Sequence, residues 1–151
     1  MILYILVFVK NLRETLNLGE KLSQKLNPKS IVLLKGPIGA GKTSLVQGIA
    51  KGLSISEEIT SPTFALSHHY NSGKTPLVHL DLYRLKEISS AKEVFISEEE
   101  EAFQNKAILV IEWPELIEPL IENFWKVEIC YAKNFGRHYE IRDPKNLLTF
   151  S

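Results

Sequence analysis

Residues Gly36-Pro37-Ile38-Gly39-Ala40-Gly41-Lys42-Thr43 fit the pattern G-x-x-x-x-G-K-[ST], and no other run constrains this chain as much. Each fixed position has a physical job. Gly39 and Gly41 allow backbone angles that a Cβ forbids, so consecutive N–H groups can turn inward around one anion. The loop then opens a helix whose unpaired N–H groups and positive dipole end face the same anion. Lys42 can bridge β- and γ-phosphates, and the Thr43 hydroxyl is placed to bind Mg²⁺. Gly36, Ile38, Gly39, Ala40, Gly41, Lys42, Thr43 and Ser44 therefore form the candidate nucleotide-binding set.

The flanks support that reading. Ser30-Ile31-Val32-Leu33-Leu34 reads as a buried parallel strand, rich in β-branched residues and uncharged. Ser44 to Lys51 reads as a helix with Leu45, Ile49 and Leu53 on one face. An ordinary strand-to-helix turn needs neither the lysine nor the threonine.

At 151 residues the chain is expected to form a single domain over residues 1–151, long enough to bury a core without disulfides or metals. Eighteen basic residues balance eighteen acidic ones, so no global field attracts DNA or RNA. The one cysteine, Cys130, excludes an internal disulfide and reads as a buried strand residue in a reducing cytoplasm. The apolar run Met1 to Val9 lacks the basic flank of a signal peptide and is too short to span a bilayer, so it reads as a buried strand with no membrane role.

Asn11 to about Leu26 reads as a helix, capped by Asn11 with Glu14 three residues on, its apolar face made by Leu12, Leu16, Leu22 and Leu26. Gly19 weakens that helix by about 1 kcal/mol relative to alanine, which hints at a close approach by another element. Thr63 to Tyr70 and Leu77 to Asp81 read as a strand pair around Asn71-Ser72-Gly73-Lys74. Leu82 to Gln104 reads as partly helical, with a capping box at Ser97, and Glu98 to Glu101 as a solvated helix face. Ala107 to Glu112 is another apolar strand. Phe124 to Tyr131 and His138 to Arg142 close the chain around Asn134-Phe135-Gly136, and residues 144–151 read as a weakly docked tail. The alternation predicts an α/β fold of P-loop type: a three-layer sandwich on a central, largely parallel sheet with antiparallel edge strands. Ligands then sit at the carboxyl ends of the strands.

Asp81 and Glu112 both end apolar strands, as the phosphate loop does. One acid can bind Mg²⁺ while the other orients the attacking water, and the pattern does not assign which. Thr63, after Pro62, can sense a γ-phosphate. Arg84 and Arg137, two of only four arginines, can each neutralise phosphate, face a partner's acids or form a structural ion pair. His79 alternates with buried residues and reads as packed or hydrogen-bonded. Trp113 can cover the site, anchor a partner or sit in the core.

The separated motifs, taken in order, resemble the TsaE (YjeE) family of small P-loop ATPases in tRNA threonylcarbamoyladenosine synthesis. They are Glu14-Thr15-Leu16 with Leu18-Gly19, the phosphate loop, Ser61-Pro62-Thr63-Phe64, His79-Leu80-Asp81-Leu82-Tyr83-Arg84, Glu112-Trp113-Pro114 and Gly136-Arg137. The resemblance implies binding of ATP and Mg²⁺ and slow hydrolysis, with Lys42, Thr63, Asp81 and Glu112 as the catalytic set. It implies Thr43, Glu112 and Asp81 at the metal, and Leu12 and Arg137 by the adenine. It also implies action with TsaB and TsaD, so that tRNA is met only through their complex. Two departures stand out. Pro37 occupies a position where many relatives carry an acid, and Val94 to Phe103 lacks the glycine that relatives tend to show there.

Two other classes compete. A small-molecule kinase would need an arginine-bearing lid, and no such segment is visible. A GTPase switch would select guanine with Asn-Lys-x-Asp, of which Asn105-Lys106 is only half.

Overall fold

The computed structural model describes residues 4–145, so the tail expected beyond residue 145 lies outside the described residues. In chain order the elements are β1 (Ile5–Val9), α1 (Leu12–Ser23), β2 (Ile31–Lys35), α2 (Lys42–Gly52), β3 (Ser67–Tyr70), β4 (Leu77–Asp81), α3 (Ile88–Gln104), β5 (Ile108–Glu112), a 3₁₀ turn (Glu118–Leu120), β6 (Trp125–Tyr131) and β7 (Arg137–Arg142). The strands form one mixed sheet in the order β1-β7-β6-β2-β5-β4-β3. The four central strands, β6-β2-β5-β4, run parallel. β3 closes one edge antiparallel, and β7 and β1 close the other. The α/β sandwich with a parallel centre and antiparallel edges is the architecture the sequence predicts.

The strand patterns explain the layers. β4 and β5 are buried at every position, as are Ile31 to Leu34 of β2, because helices cover both faces of the parallel centre. Val32, Leu34, Val110 and Val127 pack under α1 and α2. Leu33, Leu80, Leu109 and Ile111 pack under α3. Full burial of each such side chain contributes about 1.5–3 kcal/mol.

α1 departs in part from the expected face. Its buried positions are Thr15, Leu18, Gly19, Leu22 and Ser23, while Leu12 is exposed. The cause is how closely α1 lies against α2. A Cβ on Gly19 would sit 2.5 Å from the Leu45 carbonyl oxygen, and one on Gly48 would sit 2.4 Å from that of Leu16. The two backbones touch, so small residues hold the seam; of the expected leucines Leu22 and Leu26 stay buried, Leu16 is half-buried and Leu12 turns out to solvent.

Five other expectations need correction. β3 begins only at Ser67, because Thr63 lies in a turn closed by Leu66 N–H donating to the Pro62 oxygen (2.7 Å), with Leu66 at φ 69°. Ser97 caps nothing: α3 starts nine residues earlier and Ser97 sits in its interior. The acidic run in α3 is not all solvated either. Glu98 accepts from the Ser67 hydroxyl at 2.9 Å and lies 2.7 Å from His69 Nε2, tying α3 to β3. Finally, β1 is half exposed and Cys130 is exposed. Phe8, His138 and Cys130 share a register row on the face opposite α1 and α2. On that face α3 reaches over β4 and β5 instead.

Candidate functional site

The parallel strands deliver their carboxyl ends to one rim. Asp81 of β4 pairs with Glu112 of β5, and Glu112 pairs with Leu34 of β2, two residues before the phosphate loop begins at Gly36. Residues opposed in register project to the same face. Both acids therefore point to the side of α1 and α2, where α2 begins. Adjacent strands are about 4.8 Å apart, so the two carboxylates and the loop are near neighbours.

The loop has the geometry its sequence predicts. Gly39 and Gly41 hold φ values of 79° and 106°, which side chains resist. A Cβ on Gly41 would also come within 3.0 Å of the Tyr139 hydroxyl. Gly41 is the N-cap of α2 and offers no side-chain acceptor, so the first-turn N–H groups of α2 have no cap partner. Lys42 leads the helix and is buried. Its Nζ donates to the carbonyl oxygens of Gly36 (2.5 Å) and Pro37 (2.9 Å) and lies 4.3 Å from the Trp113 ring centre. Burial lowers the proton affinity of this ammonium, and the charges of Glu112, Asp81 and Glu115 work against that shift.

A cavity of about 410 Å³ opens over this loop. Ile38, Gly39, Gly41, Lys42, Thr43 and Ser44 form one wall. Ser61, Thr63, Asp81, Tyr83, Glu112 and Trp113 form the other. Four predicted nucleotide residues do not line it, Leu12 and Arg137 outside the loop and Gly36 and Ala40 within it. Ala40 is fully buried and its N–H donates to the Pro37 oxygen, while Gly36 lies behind the loop with its oxygen on Lys42.

The two acids are held differently. Asp81 has both oxygens engaged: Oδ2 accepts from the Thr63 hydroxyl at 2.9 Å, and Oδ1 accepts from Tyr83 N–H at 2.9 Å. Thr63 in turn meets the Ser61 hydroxyl at 2.8 Å. Asp81 thus fastens the turn that precedes β3 to the rim of the sheet. Glu112 has its Oε2 against His79 Nε2 at 2.5 Å, which leaves Oε1 as its oxygen for a ligand in the cavity. A hydroxyl and carboxylates are hard oxygen donors of the kind Mg²⁺ takes; Thr43 and Glu112 Oε1 suit it directly, whereas both oxygens of Asp81 already accept hydrogen bonds.

Arg137 reaches the loop from β7, donating to the Gly39 oxygen at 3.2 Å, and its Nε is buried without a partner. Leu12 is exposed at the start of α1 and does not line the cavity. Arg84 lies 5.0 Å from the Phe64 ring centre, outside the cavity lining. Trp113 covers the site, with φ 57° and its ring 4.9 Å from that of Tyr83. Ser61, Tyr83 and Tyr131 were not singled out for the site by sequence reasoning. Tyr131 donates its hydroxyl to the Ile38 oxygen at 3.1 Å. The alternation of β6 and β7 was the available signal for Tyr131 and for Tyr139, which is fully buried beside Gly41. Among the described residues no helix is long and apolar enough to cross a membrane.

Comparison with known proteins agrees on one family. The model of the family described as "Threonylcarbamoyl adenosine biosynthesis protein TsaE" matches residues 9–139. The tRNA threonylcarbamoyladenosine biosynthesis protein TsaE of Nostoc sp. is 42% identical over 137 residues, covering 89% of this chain and 83% of that protein. The protein of the same name from Synechocystis sp. is 44% identical over 117 residues, covering 75% of this chain and 72% of its own. Among solved structures, Bacillus subtilis YdiB superposes with a TM-score of 0.78 at 26% identity, covering 95% of this chain and 88% of that one.

Proposed function

This chain belongs to the TsaE family of tRNA threonylcarbamoyladenosine biosynthesis, and from that premise we propose that it is a Mg²⁺-dependent ATPase acting with TsaB and TsaD in the cytoplasm. The observation that carries the reading is the uncapped start of α2 beside Lys42, facing two carboxylates across one cavity. A triphosphate supplies what that end lacks: anionic oxygens for the open N–H groups and for the ammonium.

Lys42 and the loop N–H groups hold the phosphates and stabilise charge developing on the γ-phosphate. Thr43 and Glu112 would hold Mg²⁺, which when bound would neutralise phosphate charge. Asp81 keeps Thr63 at the cavity wall, where its hydroxyl can respond to the γ-phosphate. The reaction is in-line attack of water, giving ADP and phosphate. Arg137 stands beside the loop where the rest of the nucleotide would leave it. The guanine-selecting alternative fits poorly. Asn105 and Lys106 precede β5, beyond the end of that strand opposite Glu112, and the strand alone spans about 13 Å at 3.3 Å per residue.

ATP turnover measured alone, with TsaB, with TsaD and with both tests the proposal. Slow turnover alone, raised when both are present, is expected. No uptake of ATP with Mg²⁺ by calorimetry would overturn it.

A further inference from the structure

We propose that His79 is a positioning residue for Glu112, setting which carboxylate oxygen meets the metal. The inference rests on the Mg²⁺-ATP reading above. His79 sits in the middle of β4, between His68 of β3 and Val110 of β5, with no exposed surface. Glu112 lies two residues beyond Val110, so the imidazole and the carboxylate stack along the same sheet face. Their Nε2–Oε2 distance is 2.5 Å.

The other ring nitrogen settles the arrangement. Nδ1 is buried and has no hydrogen-bond partner. A proton there would be a desolvated donor with nothing to receive it, which is more costly than an unused lone pair. The ring proton therefore resides on Nε2 and is donated to Oε2. Oε2 is then withdrawn from the cavity, and Glu112 presents Oε1 alone, in a fixed orientation. Asp81 differs, since Thr63 and Tyr83 occupy both of its oxygens. The division of labour follows. Glu112, backed by His79, is the acid with an oxygen to give to a cation, and Asp81 is the acid that holds the Thr63 turn. A histidine present only to fill the core would serve as well if replaced by leucine.

The test compares His79→Leu, which keeps volume and loses the donor, with His79→Gln, whose amide can still donate. Binding of a non-hydrolysable ATP analogue is followed by calorimetry across a Mg²⁺ titration, with unliganded thermal unfolding measured in parallel. His79→Leu should raise the Mg²⁺ concentration needed by about ten- to a hundredfold, as loss of a hydrogen-bonding partner behind a metal ligand does elsewhere. His79→Gln should recover most of it. A folded His79→Leu protein with the wild-type Mg²⁺ requirement overturns the inference. Should His79→Leu not fold, the cycle of His79→Gln, Glu112→Gln and their double variant decides: coupled effects support the pair, and additive effects overturn it. A wild-type protein whose analogue binding ignores Mg²⁺ removes the ATP reading and this inference together. A Mg²⁺-responsive wild type matched by His79→Leu removes this inference alone.

Discussion

α1 and α2 lie against each other, yet they begin in opposite ways. Asn11 closes α1: its Oδ1 accepts from Glu14 N–H at 3.0 Å, while Glu14 Oε2 reaches back to Lys10 N–H at 2.6 Å. Gly41 leaves α2 open, in a left-handed conformation with no side chain to offer. A capping side chain stabilises a helix by about 1 kcal/mol, and α2 forgoes it. It also buries an ammonium at the same place. Local stability is given up where a ligand can restore it. The contrast separates an end built for folding from an end built for binding.

The largest effect should come from the open end. Lys42→Ala should weaken ATP affinity by about 100-fold or more, since charge-assisted bonds to phosphate are each worth roughly 1.5–3 kcal/mol. Unchanged affinity in calorimetry would erase the distinction between the two ends. The same variant should not lose stability. Burial lowers the proton affinity of Lys42 in the folded state, so the penalty for holding it charged is fully present below its folded pKa. That penalty fades as pH rises from the folded value toward 10.5. Without ligand, Lys42→Ala should therefore match or exceed wild-type stability at neutral pH, with the gap closing in alkali; urea titrations across pH will show it.

The seam joining the helices ranks next. Gly19→Ala pushes a methyl to 2.5 Å from the Leu45 oxygen, a backbone atom that cannot swing away. A loss of about 1–3 kcal/mol is expected, as for other overpacked cores. Because α2 carries the loop, ATP affinity should fall with it, whereas a purely local clash would leave affinity intact. Denaturant midpoints and calorimetry on one preparation separate the two outcomes.

The comparison also marks how far the sequence could be read. The loop, both helix starts and the acids at the ends of β4 and β5 were legible because local chemistry determines them: glycines that need positive φ, a capping asparagine, apolar runs that stop at a carboxylate. Gly19 was legible as a close approach, but its partner was not, since Gly48 lies 29 residues on and nothing local joins them. The buried face of α1 was read only in part for that reason: Leu22 and Leu26 are buried, while Leu12 is exposed. Ser97 carried a capping pattern with no helix end to cap, because α3 continues through it. Cys130 and β1 read as buried because apolar strands usually are, and only topology reveals which part of a face a helix leaves uncovered. The convergence of Tyr131, Arg137 and Tyr139 on the loop likewise depends on β6 and β7 lying beside β2, which no spacing encodes.

The smallest effect should come from the closed end, and it sharpens the contrast most. Asn11→Ala removes the acceptor for Glu14 N–H and should lower unfolding free energy by about 1 kcal/mol. For a chain of this size that is a shift of roughly 2–4 °C in melting temperature. ATP affinity should stay within twofold, because Asn11 does not line the cavity and its bonds serve only the first turn of α1. If affinity fell alongside stability, the two starts would act as one unit through the glycine seam. A lost cap with intact binding instead assigns the folding role to Asn11 and the binding role to the end that Gly41 leaves open.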